Sequence, residues 1–196
     1  MKTNILFYII CGIILFMFLR TYYISENFQL KCVISSVDGK KYCVRDRVMV
    51  KEAVNLLAEA VNKMKRLVEY VSKEYPKDED VIRLKKNFNP NKITETLPTS
   101  ELTAYSENKG EKMAFCLNKT KNTGTLIDLN TLTFVGIHEL AHTMTKSIGH
   151  KQEFWKNFKF LLENAVKIGI YKPVDYKKEN QSYCGMTITD NPYYDI

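Results

Sequence analysis

The chain has 196 residues, 45% of them hydrophobic, with 29 basic against 22 acidic side chains and a net charge of +7. That content supports one globular domain with a real core. The basic residues are interspersed with acidic ones, as on the Lys63, Lys65, Arg66, Glu69 face. This argues against a nucleic-acid-binding stripe and leaves attraction to an anionic membrane surface as the plainer use of the charge.

In chain order, Ile5 to Leu19 is an uncharged, mostly large apolar run, preceded by Lys2 and closed by Arg20. Fifteen helical residues rise only about 23 Å against a hydrocarbon core of about 30 Å. Adding Asn4 and the flank to Ile24 reaches the required length, with Arg20 snorkelling beside Tyr22 and Tyr23. No small-residue cleavage site follows. Residues 1–24 are therefore expected to be an uncleaved, single-pass transmembrane anchor and flank, and 25–196 the folded domain. Orientation stays open. The positive-inside count keeps the domain cytoplasmic by a small margin, whereas four cysteines outside the anchor and sequons at Asn118 and Asn180 fit a lumenal one.

Cys32 and Cys43 bracket an expected hairpin whose Asp38-Gly39 is a turn signal, with a loop from Ser36 to Gly39. These two cysteines, with Cys116 and Cys184, admit two readings, disulfides or buried free thiols. Asp46 is expected to cap a long helix through Val71. Its apolar stripe (Val50, Val54, Leu57, Val61, Met64, Val68, Val71) fits packing on a domain core or, alternatively, a coiled-coil seam. Pro76 and the following acidic run end it, and a short helix is expected around Asp80 to Lys86. Asn87 to Ser100 reads as irregular. Met113 to Leu117 and Thr125 to Leu129 read as two strands around the polar turn between them. A helix follows from an N-cap at Asn130 or Thr131, then a second over Phe154 to Ile168. From Gly169 the tail reads as loop, with Cys184-Gly185-Met186 its one compact feature.

All three histidines of the chain fall between positions 138 and 150. His138-Glu139-Leu140-Ala141-His142 is an H-E-x-x-H pattern, and residues four apart lie on one helical face. Two imidazoles at that spacing can bind one Zn²⁺, with the neighbouring carboxylate in reach of a water the metal activates. The surrounding helix is apolar nearly all round, and two histidines and a glutamate buried in it would be costly without a purpose. For a third ligand, His150 competes with nearby carboxylates, chiefly Glu153 and Asp175. Along a continued helix His150 would lie about 12 Å beyond His142. Gly149, however, can take the left-handed conformation that turns a chain back, and it leads directly into His150. Imidazole is also the commoner zinc ligand, so His150 is favoured.

The stretch from Phe134 to Leu162, with HELAH, then His150, then Phe154 and Trp155 at plus four and plus five, resembles the zincin peptidases of the WLM, YgjP-like and SprT-like group. The gap between His142 and His150 is longer than in the WLM and YgjP-like pattern and shorter than in the SprT-like one. The resemblance implies an α+β, zincin-like catalytic domain, with an HExxH active-site helix, a small antiparallel sheet and packing helices, behind the N-terminal transmembrane helix. It also implies a strand beside the active-site helix that pairs with extended substrate, either Met113 to Leu117 or Thr125 to Leu129. More loosely, the whole arrangement resembles proteins of large DNA viruses.

These readings converge on a membrane-anchored zinc metallopeptidase acting on a protein or peptide. His138, His142 and His150 hold the metal and Glu139 is the general base. Tyr171, Tyr176 and Tyr183 are all available as oxyanion stabiliser. One alternative is a non-catalytic, membrane-anchored protein with a structural zinc or a degenerate zincin fold. Another is a basic binding module that associates through the Val50 to Val71 seam. An intact Glu139 argues against a purely structural metal.

Overall fold

The structure is a computed structural model that describes residues 5–27, 30–120 and 124–195. Lys2, Asn4 and the middle of the expected 118–124 turn lie outside the described residues. Helix α1 (Ile5–Asn27) carries the apolar run, its side chains exposed from Phe7 to Thr21. Among the described residues no helix is long and apolar enough to cross a membrane. The expected transmembrane anchor, and with it the single-pass membrane localisation, is therefore corrected. The physical reason is the shortness of the uncharged stretch. It stops at Arg20, about 23 Å from its start and short of a core of about 30 Å, and the turns that follow are not apolar enough to complete the span.

Strands β1 (Leu30–Ile34) and β2 (Lys41–Arg45) form the expected antiparallel hairpin, with Cys32 opposite Cys43 and joined to it by a disulfide. The Ser35 and Lys40 backbones close the loop, and Gly39 takes a φ of +69° there. Helix α2 (Val50–Glu74) follows. All seven residues of its predicted stripe are buried, so the seam faces the domain's own core and is not free for association. The helix starts at Met49, not Asp46, and without a side-chain cap. Residues 46–49 instead turn so that Arg47 reaches Glu95 and Asn118.

Helix α3 (Glu79–Asn87) is capped by Asp78, whose carboxylate accepts from the Asp80 and Val81 amides. The next sheet is mixed, not purely antiparallel. Its order is β3 (Ile93–Glu95), β5 (Lys112–Phe115), β4 (Ala104–Glu107), with β3 parallel and β4 antiparallel to the central β5. The expected strand over Thr125 to Leu129 reduces to one bridge, Asn118 to Leu126. The chain turns into a helix there because Asp128 caps it, accepting from the Thr131 amide and hydroxyl.

That helix, α4 (Leu129–Met144), packs against α2, α3, β4 and α5 (Gln152–Lys167). Gly136 lets α2 come close, since a Cβ there would stand 2.9 Å from the Met64 sulfur. The tail is more ordered than its sequence suggests. Strands β6 (Gln181–Tyr183) and β7 (Met186–Ile188) pair as a hairpin, followed by a 3-10 turn at Pro192–Tyr194. A second disulfide, Cys116 to Cys184, ties this hairpin to the segment after β5 across 68 residues of sequence.

One charged knot joins the hairpin layer to the sheet. The Glu95 side chain is fully buried between Arg45 and Arg47 and accepts from the Arg45 amide at 2.7 Å. Arg45 also donates to the Thr96 carbonyl at 2.8 Å. Removing the anion alone would strand two guanidinium groups in the interior. Glu95→Ala is therefore expected to destabilise the fold by about 3–5 kcal/mol in denaturant unfolding. Removing the exposed Lys92–Glu111 pair should leave the midpoint where it was.

Candidate metal centre

His138 and His142 stand one turn apart on α4, and the chain then has to double back. The helix ends at Met144 with Thr145 extended, several residues before the expected glycine stop. Gly149, at a φ of +79°, makes the last bend into His150. The outcome is a nearly equilateral triangle of ring nitrogens. The Nε2 atoms of His138, His142 and His150 each lie 3.1 Å from the other two. Phe154, fully buried in the first turn of α5, floors the triangle, with its ring centroid 4.9, 4.4 and 4.6 Å from the three imidazoles. Trp155 covers the outer side of His150 at 5.7 Å.

This triangle cannot be satisfied by hydrogen bonds among its own members. A neutral imidazole nitrogen either carries a proton or presents a lone pair. With three nitrogens and two roles, at least one pair must be alike and repulsive. A cation relieves all three contacts at once, and a point about 2.0–2.1 Å from each nitrogen lies just off their plane. The three histidines could hold a metal ion, and among the described residues they are the cluster of metal-binding side chains that could do so. The electrostatics agree. Burial, and then the imidazoles of His142 and His150, bring His138 down to about 3. Burial, then His150 and Lys109, bring His142 down to about 4. Both rings are therefore neutral near pH 7, with lone pairs to offer.

Glu153, the rival ligand, is engaged elsewhere. Its two carboxylate oxygens accept from the Lys146 and Ser147 amides at 3.0 and 3.1 Å. Asp175 pairs with Lys178. Glu139 points from the same helix into a cavity of about 310 Å³, lined also by His138, Phe134, Trp155, Tyr183 and Met186. Its carboxyl is almost wholly buried, and burial pushes it up to about 7. Of the three tyrosines left open above, Tyr183 lines this cavity, and its hydroxyl donates to the Thr103 carbonyl at 3.1 Å. Tyr171 and Tyr176 pack instead against Phe134.

Neither segment expected to pair with substrate offers a strand edge. Strand β5, which begins one residue before the expected Met113 to Leu117 strand, is bonded on both sides and has no free edge. The strand at the edge of the sheet, against α4 and lining the cavities with His138 and Glu139, is β4. Its four residues, Ala104-Tyr105-Ser106-Glu107, carry too little apolar periodicity to stand out in sequence.

No family model matches the chain. It is 29% identical over 163 residues to an uncharacterized protein of Acanthamoeba polyphaga mimivirus, a match covering 81% of this chain and 82% of that one. It is 37% identical over 76 residues to an uncharacterized protein of Invertebrate iridescent virus 6, covering 38% of this chain and 42% of that one. Both of these relatives are viral proteins. Among solved structures it is similar to Wss1 from Saccharomyces cerevisiae, with 20% identity and a TM-score of 0.48 over 64% of this chain and 86% of that one.

The buried Glu139 makes a signed prediction for the metal-free protein. Its folded pKa of about 7 lies above the ordinary value of 4.5. The folded state therefore holds this proton more tightly, and the associated stability is intact below pH 4.5 and lost as pH rises through 7. Glu139→Gln removes that loss. With chelator present, the variant should melt higher than the parent at pH 8 and at the same temperature at pH 4. Equal melting at both values would mean that the carboxyl is not desolvated.

Proposed function

We propose that this chain is a zinc-dependent peptidase, its catalytic domain spanning residues 25–196. The observation that carries the proposal is the convergence of three Nε2 atoms at 3.1 Å beside a buried carboxyl that opens on a cavity. His138, His142 and His150 would hold the ion, leaving a fourth position free, as in catalytic zinc sites. Bound there, zinc supplies Lewis acidity, polarising a carbonyl oxygen and making water acidic enough to react near neutral pH.

The chain's own groups do the rest. The Glu139 carboxylate takes the proton from the attacking water and passes it to the departing amine nitrogen. Strand β4 offers its free backbone edge to an extended peptide, so that main-chain bonds hold the substrate across the cavity and give broad sequence tolerance. Phe154 and Phe158 keep water from the inner side of His138. A purely structural ion would have no use for a buried glutamate facing open space.

The test is hydrolysis of an unfolded protein substrate by the full chain, with and without chelator and added zinc. Activity should vanish with chelator and return with zinc. Glu139→Gln should keep its zinc and lose at least about 100-fold in rate, since the amide preserves shape but not the base. Full activity in that variant would remove Glu139 from the mechanism.

A further inference from the structure

The 3.1 Å approach of His150 to its partners depends on how residues 145–150 are folded, since a continued helix would carry that ring about 12 Å away. Between the buried Thr145 and the His150 ring on Phe154 and Trp155, apolar packing does not hold this return segment. Lys146, Ile148, Gly149 and His150 are all exposed, Ile148 at 83%, and Ser147 is half-buried. Its backbone polar groups are instead taken up by two side chains of opposite charge. The Lys109 ammonium donates to the carbonyls of Thr145 and Ser147 at 2.9 and 2.7 Å. The Glu153 carboxylate accepts from the amides of Lys146 and Ser147 at 3.0 and 3.1 Å. Ser147 is thus gripped through both its carbonyl and its amide, three residues before His150.

We propose that Lys109 and Glu153 are positioning residues for the metal centre, a two-sided clamp that sets the return segment so that His150 completes the triangle. The inference rests on the reading of the three histidines as ligands. Lys109 is placed at some cost. It lies in the β4–β5 turn, where Asn108, Lys109 and Gly110 take φ of 48°, 59° and 113°. Asn tolerates the left-handed region, but a long side chain such as that of Lys109 seldom adopts it. Gly110 has no room for a side chain, because a Cβ would stand 2.6 Å from the Thr143 methyl. The turn is thereby pressed against the last turn of α4, where Lys109 can reach carbonyls beyond the helix end. Glu153 lies in the first turn of α5, immediately before Phe154, where the helix N-terminus favours a carboxylate. One clamp arm comes from the turn after the strand that would bind substrate and the other from the helix that floors the metal.

Charge and position make opposite predictions at Lys109. As a nearby cation alone, it would repel Zn²⁺, and removing it would tighten binding. As a clamp, its removal loosens His150 and weakens binding. Zinc affinity of the full chain, measured by competition with a chromophoric chelator, separates the two. Lys109→Met and Glu153→Ala should each weaken zinc about 10-fold or more, the scale on which groups that orient metal ligands act. Lys109→Arg, which keeps a donor, should recover most of the loss. In a His150→Ala background neither variant should weaken zinc further, because both act through that ligand. Cobalt substituted for zinc should show a visible spectrum shifted in the same direction by His150→Ala and by each clamp variant.

Wild-type affinity in both clamp variants, or an undiminished loss in the His150→Ala background, would overturn the proposal. Tighter binding in Lys109→Met would overturn it in favour of charge alone. Should Glu153→Ala fail to fold, Glu153→Gln keeps the shape and one acceptor pair and should still weaken zinc in part; unchanged affinity there would count against the clamp. The two readings fail differently. If the parent chain binds no zinc, the metal reading falls and the clamp with it. If zinc binds and His150→Ala weakens it while the clamp variants do not, the clamp alone falls.

Discussion

Three imidazoles whose ring nitrogens meet at 3.1 Å leave at least one pair of like nitrogens facing each other, whatever tautomers they choose. The protein therefore has to hold them together with structure that does not depend on the rings' own bonding. Much of the fold can be understood as that holding. Helix α4 carries two of the rings and is buried along nearly its whole length, enclosed by α2, α3, α5 and β4. Such enclosure leaves a side chain on it little freedom to swing away. Phe154 then removes the space beneath the rings, so that collapse into the core is blocked as well.

The enclosure itself depends on a few close approaches and long-range ties. Gly136 admits the Met64 side chain of α2 where a larger residue would force that side chain to shift. The Arg45–Glu95–Arg47 knot fixes the disulfide-bonded hairpin to β3, at the far edge of the sheet whose other edge, β4, faces α4. Cys116 and Cys184 close the last gap by pinning the β6–β7 hairpin. Tyr183 of that hairpin is nearly inaccessible and bonds the Thr103 carbonyl just ahead of β4. The cavity beside Glu139 thus has one wall from the active helix and another from a tail tethered covalently to the sheet.

What could be read in the sequence was local. The i, i+4 histidines, the glycine before His150, the stripe of α2 and the Cys32–Cys43 hairpin are each specified by residues within a turn or a strand pair of one another. What could not be read depends on distant partners. Strand β3 is three residues long, and its identity comes from pairing with β5 and from a buried glutamate that only its arginine neighbours explain. Strand β4 and the tail hairpin lack an alternating apolar pattern because their faces look into a cavity or across a disulfide. The start of α4 was misplaced for a simpler reason. Asp128, Asn130 and Thr131 are all good cap residues, and Asn130 is drawn away by the Lys172 backbone while Thr131 bonds to Asp128. The apolar run of α1 was read as a span by borrowing its flank. Its own length falls short.

The site divides into a rigid part and a conditional one, and that division follows from where the ligands sit. His138, His142 and Glu139 share one buried helix, and their geometry is as fixed as the core. Burying Glu139 without a cation lifts its pKa, a cost the fold bears near neutral pH. His150 comes from a largely exposed segment, so its place depends on polar contacts to that segment and on the rings of Phe154 and Trp155 against it. On the proposed reading, metal binding would do more than fill a preformed hole. It would contribute to ordering residues 145–150, and through Lys109 that segment is joined to the β4–β5 turn. The strand whose edge faces the cavity and the segment that carries His150 are in this way joined through one polar unit.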